Sequence, residues 1–265
     1  MNKIILKPGK DRSVFRYHPW IFSGAIAKTE GKLQEGDLVR VYSSDNQYLA
    51  TGHYQIGSIA VRILTFEDEE IGYSFWLQRI TAAYHMRRAI GLTDRADNDT
   101  FRLIHGEGDN LPGLVVDYYA GVAVVQFHSV GMYLERGNIT RALLETLGDR
   151  LTAIYDKSTL PYKAAIDPHN GYLYGKADHF VAQENGLKFN VDWLEGQKTG
   201  FFIDQRENRH LLEKYAGNKQ VLNMFCYTGG FSFYAMRGGA RSVHSVDVST
   251  RAIELAKQNV ALNFP

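Results

Sequence analysis

The sequence contains one cysteine and six prolines in 265 residues, a net charge of only +1, and no long apolar run. Each shortage excludes something. One cysteine cannot form an internal disulfide or a multi-cysteine metal site, which fits a reducing compartment. So few prolines, with 45% hydrophobic and 22% charged residues, leave no room for a long disordered tail, and there is no repeat or low-complexity tract. Nowhere do ~18 apolar residues follow one another, so no membrane-spanning helix is expected. The start, MNKIILKPGK, lacks the apolar core and cleavage site of a secretory signal. A soluble, cytoplasmic protein is the expectation. At this length the chain exceeds the ~100–150 residues of a single core, so two or three domains are expected.

The near-zero net charge selects no partner, but its distribution is uneven. Residues 1–28 carry Lys3, Lys7, Lys10, Arg12, Arg16 and Lys28 against Asp11 alone. Phe15, Tyr17, His18 and Trp20 lie among them. Cations interleaved with flat side chains suit phosphates and stacked bases, and Lys7, Lys10, Arg12, Arg16, His18 and Trp20 are the candidate RNA-binding set. A solvated face over a buried Trp is the competing reading.

Short alternating runs, IILKP, DLVRVYS, YLATGHY and SIAVRILTF, broken by polar turns, predict a small all-β unit over residues 1–72. Ser74 is a candidate cap for a helix with Leu77, Ile80 and Tyr84 on one face and Ala83 on its flank. From Phe101 strands alternate with tight turns, residues 131–147 read as a helix and LTAIYDKS as a strand, giving an α+β middle domain over 73–178. DPHNGYLYGK reads as loop. His105, Glu107 and Asp109 have the composition of a metal trio, but alternation on one strand face accounts for them, and no metal is expected. FVAQENGLKFNVDW is a hairpin about Asn185-Gly186.

The last stretch, residues 179–265, changes rhythm: strand VLNMF, turn YTGGFS, helix, strand SVHSVDV, and a helix capped by Ser249 with Ile253, Ala256 and Val260 on one face. This order with buried strands predicts a parallel, doubly wound sheet, which binds ligands beyond the carboxyl ends of its strands. The Gly229-Gly230 pair lacks the Lys-Ser/Thr of a phosphate loop and the spacing of a dinucleotide fingerprint. A nucleoside asks less: close backbone approach at the glycines and an acid after the second strand for the ribose, here Asp247. That pairing suits S-adenosylmethionine, and an ordinary turn with a helix-capping Asp is the alternative.

KTGFFIDQRENR (Lys198 to Arg209), VLNMFCYTGGFS and VDVSTRAIELAKQN resemble the PUA-domain-containing, S-adenosylmethionine-dependent cytosine-5 methyltransferases of large-subunit ribosomal RNA. HPWIFSGAI and LIHGEGDNLPGLVVDYY extend the resemblance over essentially the whole chain. It implies an α/β multidomain protein: a small β PUA-like domain, the α+β middle domain, and the first half of a class I Rossmann-like methyltransferase domain. By the same resemblance Lys198, Thr199, Gly200, Phe201, Phe202, Asp204 and Gln205 form the wall and lid of the S-adenosylmethionine pocket. Asn223, Phe225, Cys226, Tyr227 and Gly229 face the methionine part, and Asp247 takes the ribose. Aromatic faces at Phe201, Phe202, Phe225 and Tyr227 suit a sulfonium.

Ribosomal RNA is the implied partner, and homodimerisation follows from the resemblance only. Two departures stand out: DKSTLPYKAAIDPHNGYLYG deviates from the family's middle-domain pattern, and the sequence ends at NVALNFP, ahead of the family's Asp-Pro-Pro-Lys motif and nucleophilic cysteine. Cytosine C5 methylation needs a thiolate at C6. Cys226 follows the first strand, on the cofactor side, and reads as a pocket residue. No catalytic residue is therefore assigned, and the 265-residue chain is expected to be inactive. A non-catalytic RNA-binding protein with a vestigial half-domain is the alternative.

Overall fold

The computed structural model describes residues 2–160, 168, 170–177 and 180–265. They form two compact units, one built from residues 1–89, 102–117 and 123–176, the other from 90–101, 118–122 and 177–265.

In the first unit, β1 (Asn2–Leu6), the one-turn helix α1 (Arg12–Phe15), β2 (Trp20–Phe22), β3 (Ile26–Glu30), β4 (Leu38–Tyr42), β5 (Tyr48–Tyr54) and β6 (Ile59–Thr65) follow one another. The strands make a six-stranded sheet of order β2-β6-β5-β4-β1-β3, with β1 and β4 parallel. Alternation sets its inner face: Val39 and Val41 are fully buried while Arg40 between them faces outward. Ile4, Leu6, Val14, Ile21, Val61 and Ile63 complete this core, the burial of apolar faces being what holds so small a sheet together.

Helix α2 (Tyr73–Ala89) buries Trp76, Ile80, Ala83, Tyr84 and Arg87 on one face. It starts a residue ahead of the expected cap: Ser74 lies exposed in the first turn, and Gly72 accepts the Phe75 N–H. Beyond it come β7 (Thr100–His105), β8 (Leu114–Tyr119), β9 (Val122–Phe127), α3 (Val130–Leu134), α4 (Arg136–Leu147), β10 (Ala153–Asp156) and β11 (Gly171–Gly175), the strands forming a sheet of order β11-β10-β9-β8-β7. The 131–147 helix is thus two helices, broken at Glu135. The segment read as loop contains a strand, with Asp167 and His169 outside the described residues. Tyr172 pairs across from Tyr155, ring edge to face at 5.1 Å, and this cross-strand contact makes an edge strand of a Gly-flanked tract.

Of His105, Glu107 and Asp109 only His105 lies on a strand, because Gly106, at φ +54°, turns the chain into a 3-10 segment. The two carboxylates serve as internal counter-ions: Glu107 accepts from Trp20 Nε1 (2.8 Å) and Arg62 (3.0 Å), and Asp109 takes the buried guanidinium of Arg87.

In the C-terminal part of the second unit comes the hairpin β12 (Val181–Glu184) and β13 (Leu187–Asn190), its turn residues Asn185 and Gly186 both at positive φ as a two-residue primed turn requires. Then follow α5 (Arg206–Tyr215), β14 (Gln220–Met224), α6 (Gly230–Arg237), β15 (Ser242–Val246) and α7 (Thr250–Asn263). β14 and β15 pair in parallel across α6, as a β-α-β crossover dictates. Ser249 caps α7 as expected, accepting the Ala252 N–H. Two expectations shift. The strands are not buried on both faces: Leu222, Met224 and Val246 are exposed. The inward face of α7 is Ala252, Leu255, Ala256 and Asn259, because Asn259 is consumed in hydrogen bonds with Asn190 and the Thr228 carbonyl.

His53 on β5 is sealed against Trp76, the rings near parallel with centroids 6.3 Å apart. Gly131 backs onto the imidazole so closely that a Cβ there would overlap it. Burial holds this imidazole down at about 4, against an ordinary 6.5. The unfolded chain therefore binds the proton first. Stability is complete above the unfolded value and falls as pH drops from about 6.5 towards about 4, a loss of at most ~3 kcal/mol. Urea titrations across this window should show the decline, and His53→Gln should flatten it; an unchanged slope in that variant contradicts the assignment.

Candidate functional site

After β14 the chain makes a turn that L-residues rarely adopt. Phe225, Tyr227 and Gly229 have φ of +58°, +47° and +85°, two of the three being non-glycine residues in the left-handed region. Asp247, just past β15, holds this shape: Oδ2 accepts the Tyr227 N–H at 2.9 Å and Oδ1 the Ser249 N–H at 2.9 Å. The Cys226 N–H donates to the Val246 carbonyl at 3.0 Å. Gly229 is required both by its φ and by the Phe233 ring, which occupies the space a Cβ would need. Beneath the turn Asn223 donates to Ser232 (2.9 Å), and the Ser232 and Ser245 hydroxyls hydrogen-bond each other (2.7 Å), tying β14, α6 and β15 together.

The segment 197–205 crosses opposite this turn. Lys198 and Gly200 are again left-handed. The Tyr227 hydroxyl accepts the Gln197 N–H at 3.0 Å and donates to the Gly200 carbonyl at 3.2 Å. Thr199 is buried and hydrogen-bonds the Tyr119 hydroxyl at 2.8 Å. Phe202 meets the Tyr227 ring edge-on at 5.4 Å, while Phe201 packs on Phe189 at 4.9 Å. One phenol thus links the strand-end turn to the facing segment.

Between them lies a cavity of about 310 Å³ lined by Phe201, Phe202, Gln205, Arg209, Phe225, Cys226, Tyr227, Thr228, Gly230 and Phe231. Of the residues expected there, Phe201, Phe202, Gln205, Phe225, Cys226 and Tyr227 meet in its wall. Lys198, Thr199, Gly200, Asn223, Gly229 and Asp247 lie outside its lining, with Thr199, Gly200 and Gly229 buried and Lys198 exposed, and Asp204 is exposed, accepting from Gln205. Arg209, Thr228, Gly230 and Phe231 are additions. Arg209 was findable, since it stands four residues after Gln205, one helical turn along α5. The Cys226 thiol is buried and its pKa is pushed up, by burial and then by the Asp247 charge. Such a thiol resists forming the thiolate that attack requires.

On the six-stranded unit, Lys10, Arg12, Arg16 and His18 line a second cavity, of about 660 Å³, with Gly9, Ser13, Tyr17 and Pro19. Lys7 lies outside this lining, its Nζ donating to the Gly24 carbonyl at 3.0 Å. Trp20 does not fit the expected RNA-facing role: it is half-buried, its Nε1 donates to Glu107, and the Arg62 guanidinium covers its ring at 5.7 Å. Tyr17, 72% exposed, offers the open ring instead.

Comparison with known proteins adds to this geometry. A family model described as a PUA-like domain matches residues 4–66, and one described as an S-adenosylmethionine-dependent methyltransferase matches residues 101–264. Ribosomal RNA large subunit methyltransferase I of Aeromonas hydrophila is 40% identical over 267 aligned residues, covering 98% of this chain and 66% of that protein. The same enzyme of Shewanella frigidimarina is 42% identical over 272, with 98% and 66% covered. The chain therefore spans about two thirds of the length of these relatives. Among solved structures, a SAM-dependent methyltransferase from Streptococcus mutans superposes with a TM-score of 0.83 at 23% identity, over 99% of this chain and 68% of that one. A second, described as a methyltransferase complexed with SAH, gives 0.85 at 23%, over 99% and 67%. At that identity the two share the fold.

Removing the hydroxyl that joins turn to facing segment should show its worth. Tyr227→Phe leaves the Gln197 N–H without its acceptor and should lower unfolding free energy by ~1–2 kcal/mol in a denaturant titration. A loss near zero would mean the two segments hold their places without it.

Proposed function

The chain belongs to the S-adenosylmethionine-dependent methyltransferase family, and on that premise we propose that it serves methyl transfer from S-adenosylmethionine to C5 of a cytosine in large-subunit ribosomal RNA. The observation that carries this is the cavity. Its size lies at the lower end of the ~300–1,000 Å³ of small-molecule sites, and half of its lining is aromatic: Phe201, Phe202, Phe225, Tyr227 and Phe231. Such faces stabilise a sulfonium by their π-electron density. Asp247 lies outside the cavity lining but next to it, through its bond to Tyr227; with each oxygen accepting one N–H, it keeps lone pairs for ribose hydroxyls at the cavity's edge, since a carboxylate has about four acceptor sites. S-adenosylmethionine supplies an activated methyl group; the chain's own part is to orient it and exclude water.

The cytosine-5 assignment rests on the motif resemblance, and the named relatives act on large-subunit ribosomal RNA. In that chemistry a thiolate adds to C6, C5 takes the methyl group, the C5 proton leaves to a base, and the thiolate is expelled. Cys226 is the chain's sole cysteine, lies in the donor's wall, and has its pKa pushed up by burial and then by Asp247, which disfavours the thiolate that this nucleophile needs. The 265-residue chain by itself therefore holds the donor without completing transfer. Ribosomal RNA as partner makes the cytoplasm the expected compartment, and no helix among the described residues is long and apolar enough to cross a membrane.

The second cavity is the RNA contact of this proposal: Lys10, Arg12 and Arg16 meet phosphates, and the Tyr17 ring stacks a base.

Two measurements test this reading. Given labelled S-adenosylmethionine and large-subunit ribosomal RNA, a protein of the full length of the named relatives should label a cytosine at C5 and the 265-residue chain should transfer nothing. Label on another base, or transfer by this chain, contradicts the respective part. Charge reversal at Arg12 and Arg16 together should weaken RNA binding and reduce the slope of log affinity against log salt by about two. An unchanged slope removes the cavity from the RNA interface.

A further inference from the structure

Arg209 is 1% exposed although it lines the cavity, and its guanidinium reaches three separate parts of the chain. Nε and Nη2 clasp both oxygens of the fully buried Glu184, at 2.9 and 2.8 Å, at the end of β12. Nη1 donates to the Phe202 carbonyl at 2.9 Å. The cation sits 4.6 Å above the Phe201 ring, and its Cδ lies 3.2 Å from where a Cβ on Gly230 would stand, closer than ordinary contact. Glu184 also accepts from Arg206 Nε (3.2 Å) and the Tyr234 hydroxyl (2.9 Å). Every acceptor position of that carboxylate is directed at a neighbour, so it cannot turn away from Arg209.

We propose that Arg209 is a positioning residue for the donor cavity: locked by Glu184, it sets the place of Phe201 and Phe202 and hence the shape of the wall. The proposal rests on the reading of this cavity as the S-adenosylmethionine site. Two physical facts separate this role from general stability. A planar fork carrying three directed bonds has no substitute in lysine, whose ammonium is a point charge. Arg206 offers an internal control, because it shares Glu184 and donates to the Thr100 carbonyl yet stays out of the cavity lining. Loss of a buried charge pair on Glu184 is common to both arginines; loss of the Phe202 and Phe201 contacts belongs to Arg209 alone.

The test is calorimetric titration of the 265-residue chain and its variants with S-adenosylhomocysteine and with methylthioadenosine, which lacks the amino-acid carboxylate. Arg209→Lys should weaken both ligands in parallel by ~10-fold or more, the equivalent of one charged hydrogen bond. Arg206→Lys should leave both affinities within about threefold, even where its melting temperature falls as far. Equal losses in the two variants, or none in Arg209→Lys, overturn the proposal. A loss confined to S-adenosylhomocysteine also overturns it, since that pattern marks direct contact with the carboxylate. If Arg209→Lys does not fold, Glu184→Gln, which keeps the shape and weakens the clasp, must lower both affinities together; unchanged affinity there counts against the role. Failure of the unaltered chain to bind S-adenosylhomocysteine is a different result, and removes the cavity reading itself together with this role.

Discussion

A single N–H governs the site. Where β14 ends, the Tyr227 amide points at the Asp247 carboxylate, and that bond keeps two non-glycine residues in the left-handed region, a conformation costing roughly 1–2 kcal/mol per residue. Without it the chain between Phe225 and Gly229 would relax towards ordinary turn geometry. With it, the Cys226 amide meets the end of β15, the Tyr227 phenol projects to the segment opposite, and Gly230 begins α6 beside Arg209. The cavity is the space these constraints leave.

The facing wall is held by a different kind of force. Phe201 and Phe202 belong to a segment with little regular structure, two of its residues in left-handed conformation. Its order comes from side chains on other elements: the phenol of Tyr227, the hydroxyl of Tyr119 on Thr199, and the guanidinium of Arg209. Polar groups fix the position and aromatic rings supply the surface. The division suits a cationic ligand, since the rings attract a sulfonium while the hydrogen-bonding groups are already satisfied by the protein.

Much of this was legible in the sequence because it depends on local rules. Asn185-Gly186 specifies its primed turn, Ser249 its cap, and the 3.6-residue and two-residue periods most elements. The six residues that meet in the cavity wall came from motif resemblance. Elsewhere, contacts distant in sequence decided. β11 is a strand because Tyr172 finds Tyr155, and α7 turns Asn259 inward because Asn190 and Thr228 offer it partners. Trp20, in a basic segment, is drawn inside by Glu107. The spacing of Arg209 to Gln205 points to the cavity, but its ion pair does not show until Glu184, 25 residues earlier, is placed beside it. Polar residues with remote partners are what periodicity does not reveal.

The most direct measurement is a crystal structure of the chain grown with S-adenosylhomocysteine. The account predicts density for the ligand between Phe201–Phe202 and Phe225–Phe231, the ribose hydroxyls against Asp247 and the sulfur facing an aromatic ring, with the turn itself unmoved. Ligand bound elsewhere in the chain, or a turn that must rebuild around it, would contradict the account.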